Sequence, residues 1–172
     1  DAFLDFKRAQ IDIVAQLAGA FIGAGLTLII LSGNEPAKLG LGAVSVNANA
    51  GNVIGLAAEI IGTAILVFTV FGAAIDGRAP SGFAGIIIGF IVYGIIILVG
   101  PITGASLNPA RELGPALLGQ AIGAKPVPVE QLVVVYIFGS TIGGVVGAFL
   151  YEFIGREVPV AVTAHAPVAE SV

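Results

Sequence analysis

The sequence predicts an all-α integral membrane protein, a bundle of four transmembrane helices and one re-entrant half-helix, and three observations carry that prediction. First, 57% of the 172 residues are hydrophobic and 10% are charged, where an ordinary soluble domain carries about 25% charged residues. Mean hydropathy is +1.05. Second, four apolar runs, residues 11–31, 53–75, 83–100 and 132–154, are each long enough to cross a hydrocarbon core of roughly 30 Å. Third, between the last two runs an Asn-Pro step opens a helix too short to cross.

A spanning segment must satisfy its own backbone hydrogen bonds, which an α-helix does unaided, so each run reads as a helix. None shows the two-faced pattern of a surface helix, as expected where one face meets lipid and another meets neighbouring helices. The connections are residues 32–52, rich in Gly and Asn, the turn 76–82, and the long segment 101–131. From Gly155 onward Ala, Val, Pro and Glu follow without periodicity, so residues 155–172 read as a disordered tail. Lys7, Arg8, Arg78 and Arg156 fall at one end of this helix order, and Lys38 and Lys125 at the other. That excess places the first end, with the tail, on the cytoplasmic side of the plasma membrane.

Glycines recur four apart as Gly19 and Gly23, Gly51 and Gly55, Gly85 and Gly89, and Gly139, Gly143 and Gly147. Such spacing lets helix backbones approach closely, and in lipid this packing replaces much of the hydrophobic drive. Close packing is expected at the first and last spans in particular. The segments beginning at Val14 and Tyr136 are weakly alike, which hints at an internal repeat.

Several function classes fall away. A net charge of −4 without charged runs gives no nucleic-acid surface. With no cysteine there is neither a disulfide nor a thiolate metal site or nucleophile. The spans hold no His, no Cys and no paired acids, so neither catalysis nor a metal or other cofactor is expected. His165 in the tail has no assigned role. Because methionine is also missing, a longer precursor preceding Asp1 is expected.

The informative stretch is Gly104-Ala105-Ser106-Leu107-Asn108-Pro109-Ala110-Arg111-Glu112. Asn108 is a good N-cap and Pro109 belongs at the first helical position, so a helix is predicted from Pro109 to Leu118. It would reach roughly half the bilayer core. Irregular backbone ahead of it, over residues 101–107, survives at membrane depth only against protein or water. The half-helix would therefore present its free amides, and about half a positive charge, to a wet cavity. Carbonyls of residues 101–107 would supply acceptors to a file of waters or hydroxyls, and the Asn108 amide a donor. An arginine at this depth costs about 2.5 to 3.5 kcal/mol unless it faces water or a partner, so Arg111 should face the cavity. Glu59, inside the second span, needs a polar task for the same reason.

These residues resemble the second Asn-Pro-Ala box, with its arginine, of the aquaporin and glycerol-facilitator family. The segment from Asp76 to Ile86 is similar to archaeal and bacterial members. The resemblance implies an aquaporin-like inverted-repeat bundle, of which residues 1–154 would supply the third helix of the first repeat and all of the second. It implies a passive channel for water and small neutral solutes, not an enzyme, working as a homotetramer in the bilayer. The partner completing the pore would be an N-terminal portion of the same channel.

Carried over by position, the resemblance puts Asn108, Pro109 and Ala110 at the pore centre and Arg111 at the selectivity constriction, with Ile96 and Ala105 as its companions. Strict water channels usually have His where Ile96 stands, so the departure opens the site to glycerol. Glu112, where glycerol channels commonly carry Asp, points the same way, although a carboxylate beside a helix N-terminus has a structural explanation of its own. Glu59 would hold the re-entrant backbone, and Gln16 would either do the same for the other loop or bond a neighbouring helix. A nonconducting membrane scaffold is the alternative of another class.

Overall fold

The computed structural model describes residues 2–31 and 40–155. Helix α1 is Ala2–Ile30, and a short 3₁₀ turn follows at Gly40–Gly42. Helix α2, Gly51–Val70, runs on through a wider π-wound turn, Phe71–Ile75. Helix α3 is Ala84–Thr103 and the short helix α4 is Pro109–Ala121. A π-wound stretch, Gln131–Gly139, leads directly into α5, Ser140–Gly155. Among the described residues, Phe6–Ile30, Gly51–Ile75, Ala84–Thr103 and Gln131–Gly155 are the four helical segments long and apolar enough to cross a membrane, matching the four expected spans. The tail beyond Gly155, with Arg156 and His165, lies outside the described residues, as does Lys38.

The large apolar side chains point outward: Val53, Phe90 and Phe153 are 81%, 73% and 70% exposed. Small residues make the interior contacts, as expected in lipid. A Cβ added at Gly143 would fall on the Ile60 carbonyl, and one at Gly147 on that of Ala64. These glycines let α5 lie directly on α2. In the first span, a Cβ added at Gly19 or Gly23 would meet nothing within 4 Å among the described residues. There the close approach is made by Ala20, whose backbone stands 2.6 Å from a Cβ built at Gly114 of α4. Gly85 and Gly89 of α3 are likewise uncontacted.

Helix α4 starts at mid-depth. Leu107 meets Gly62 near the centre of the span Gly51–Ile75, the same glycine that Ile95 of α3 reaches. Ile95 and Leu107 share that depth although a whole stretch of chain separates them, so the chain has doubled back after α3. From there α4 follows α1 outward, past Ala20 to the Gly40 carbonyl.

One boundary differs from expectation. Helix α3 continues through Pro101 to Thr103, ending on Gly104 in the left-handed region. The irregular backbone is thus residues 104–107, and the carbonyls of Pro101, Ile102 and Thr103 are taken by Asn47 Nδ2, Asn47 N and Tyr136 OH.

Candidate functional site: a half-helix opening on a cavity

Asn108 caps α4 from extended backbone (φ −155, ψ 120), with Pro109 at the first helical position. Its Oδ1 accepts from Ala110 N at 2.9 Å and Arg111 N at 3.4 Å, satisfying two of the amides a helix start leaves free. Its Nδ2 donates to Gln16 Oε1 at 3.2 Å, near the centre of the first span. A carboxamide nitrogen carries two hydrogens, so one remains for another acceptor. Gln16 thus bonds the cap of a neighbouring helix, α4, and not another loop.

The loop before Asn108 is strained. Gly104, Ala105 and Leu107 have φ of 80, 55 and 58, and a left-handed non-glycine residue costs about 1 to 3 kcal/mol unless its surroundings hold it. Glu59, fully buried, supplies the hold. Its Oε1 accepts from Thr103 Oγ1 at 2.6 Å and Ser106 N at 3.0 Å, and its Oε2 from Leu107 N at 2.8 Å. Thr103 Oγ1 in turn accepts from Ala105 N at 3.1 Å. With the amides drawn to one side, the carbonyls of Gly104, Ala105, Ser106 and Leu107 accept no hydrogen bond among the described residues.

Beside this start lies an open cavity of about 420 Å³, lined among others by Gln16, Thr27, Asn108, Ala110, Arg111 and Pro115. Arg111 is 42% exposed into it, and its Nη1 lies 3.2 Å from Glu112 Oε2. Ile96 and Ala105 are not on its wall. Ala105 is buried against Ile95 and Val99, while Ile96, next along the helix, is half exposed.

Sequence reasoning missed the strap of residues 43–47, part of a segment read as an external loop. Val46 N donates to Gln131 Oε1 at 3.1 Å, Asn47 N to the Ile102 carbonyl at 2.8 Å, and Val44 N to Glu112 Oε1 at 3.0 Å. Val44 closes on Gly104, where an added Cβ would lie 2.5 Å away. No local pattern marks such a strap, because its partners are distant in sequence.

The profile described as "Major intrinsic protein" covers residues 2–151. "Probable aquaporin AqpM" of Archaeoglobus fulgidus is 40% identical over 145 residues, covering 84% of this chain and 58% of that protein. "Aquaporin AqpM" of Methanothermobacter thermautotrophicus is also 40% identical, with the same coverage of each. A plant relative, "Probable aquaporin NIP-type" of Nicotiana alata, is 37% identical over 87% of the chain and 50% of its own length. The chain spans 58% of the length of the archaeal relatives it matches. A profile match over nearly the whole described chain, joined to a half-helix capped by Asn108 at mid-span, makes this multi-pass membrane protein a member of the major intrinsic protein family.

Proposed function

We propose that the chain forms part of the wall of a passive channel for water and small neutral solutes. The observation that carries this reading is the placement of Asn108: an N-cap at mid-depth, with one amide hydrogen to spare, on the same cavity as Arg111. A solute oxygen would accept from Asn108 and then donate to carbonyls of residues 104–107. The half-helix N-terminus, worth about half a positive charge, and the Arg111 guanidinium would repel cations and protons. Glu59 and Gln16 support the loop and its asparagine. The family match and the aquaporin names of the relatives favour a conduit over an enzyme.

The archaeal and plant relatives carry the name aquaporin, which favours water as the principal permeant. Ile96, which lies off the wall of this cavity, suggests glycerol as a second one only through its family position, where strict water channels have histidine. The rest of the wall would come from an N-terminal portion of the same channel. Assembly as a homotetramer in the plasma membrane follows the family, and Lys7, Arg8 and Arg78 at one end favour a cytoplasmic C-terminus.

Stopped-flow light scattering on vesicles containing the full-length protein tests this. Fast shrinkage under osmotic shock without proton leakage is expected, and Arg111→Val should admit glycerol more readily. Shrinkage no faster than in protein-free vesicles would contradict the proposal.

A further inference from the structure

Glu112 is fully buried on the first turn of α4, beside the residue proposed as the filter. A carboxylate at a helix N-terminus needs no further explanation when it faces water. Sealed from solvent, it must find donors at both oxygens. One donor is the Val44 amide of the strap, on Oε1 at 3.0 Å, another is Arg111 Nη1, on Oε2 at 3.2 Å, and the Ser106 hydroxyl also bears on the carboxylate. Arg111 has no other side-chain partner among the described residues. Its guanidinium is otherwise a long, rotatable group, 42% exposed to the cavity.

We infer that Glu112 is a positioning residue for the selectivity filter, fixing the Arg111 guanidinium through one oxygen while the strap amide of Val44 fixes Glu112 through the other. This inference rests on the channel reading given above. The strap is itself anchored to Gln131 and Ile102, so the carboxylate is a strut between a braced segment and a mobile cation. Glu59 braces the loop backbone; Glu112 braces the side chain that meets the solute.

The test compares the glycerol-to-water permeability ratio of vesicles holding the full-length protein with Glu112→Gln, Arg111→Val, or both. A glutamine keeps an acceptor for Val44 N but turns a second donor toward Arg111. The ratio should rise about tenfold in Glu112→Gln, the factor carried by one charge-assisted hydrogen bond, and the substitution should add nothing once Arg111 is Val. A structural role alone would not produce that non-additivity. Should Glu112→Gln fail to fold, Glu112→Asp keeps the charge but is too short to reach both donors. It should raise the ratio in the same direction, again without effect on the Arg111→Val background. If Arg111→Val raises the ratio and neither Glu112 variant does, the inference is overturned and the channel reading stands. An equal rise with Arg111 present or replaced also overturns it, because Glu112 would then act through the strap. An Arg111→Val ratio equal to that of the unmodified protein removes Arg111 as the filter, and this inference with it, whereas the channel reading falls only if the unmodified protein shrinks its vesicles no faster than protein-free ones.

Discussion

Glu59 accepts hydrogen bonds from two backbone amides and a threonine hydroxyl while fully buried, so its charge is tied to one loop conformation. Glu59→Gln would turn an amide donor against the Ser106 or Leu107 N–H, leaving buried donors facing each other. The expected cost is about 1.5 to 3 kcal/mol, read as a lower thermal midpoint in detergent with slower osmotic shrinkage of vesicles. An unshifted midpoint would mean that the loop stands without Glu59. That this residue needs a partner was legible in the sequence, because an acid inside an apolar run must have one, whereas the loop as that partner came only from the family resemblance. Asn108 was legible too, since a cap and a following proline are local signals. Ile96 and Ala105 were placed by family position alone, and neither is on the cavity wall: Ile96 is half exposed on α3, and Ala105 is buried in one cluster with Ile95 and Val99. Glu112 was read as an N-terminal charge, since nothing near it in sequence announces that Val44 would seal it.

Among the elements, α2 and α5 depend on glycine at their crossing. Gly143→Val would drive a side chain into the Ile60 carbonyl, for about 1 to 3 kcal/mol of overpacking. Gly85→Val, at a position with no described neighbour, should change stability by less than about 0.5 kcal/mol. Paired thermal melts distinguish the two, and equal midpoints would refute the packing argument. The glycine spacing was visible in every span, but spacing does not say which face meets a helix, and Gly19 and Gly23 meet none among the described residues.

The turn after α2 is tied down separately. Asp76 accepts from Arg78 Nε at 2.9 Å and from the Tyr151 hydroxyl of α5. Hydrogen bonds from Arg78, then from Tyr151, hold the Asp76 carboxyl well below the usual carboxylate range. A lowered folded value means that the link stabilises fully above the ordinary aspartate pKa of about 3.9. The contribution fades as pH falls below that value. Thermal midpoints of the protein and of Asp76→Asn should therefore differ at neutral pH and converge under acid. A constant gap at every pH would exclude this linkage.

At the scale of the whole molecule, the apolar runs, the helix order and the half-helix were readable because lipid imposes length and hydropathy on every span. The strap of residues 43–47 was not readable, because its partners are distant in sequence, and nothing in the sequence pattern marked the π-wound turns Phe71–Ile75 and Gln131–Gly139. Mid-depth contacts from three helices converge on the start of α4: Gln16 on Asn108, Gly62 and Ile95 on Leu107. The account as a whole depends on that depth. An experimental structure of the full-length protein in a lipid nanodisc measures it directly. The predicted result is Asn108 near the midplane of the disc, with ordered water along the carbonyls of Gly104, Ala105, Ser106 and Leu107. Asn108 at or beyond the headgroup layer, with those carbonyls against bulk solvent, would contradict it.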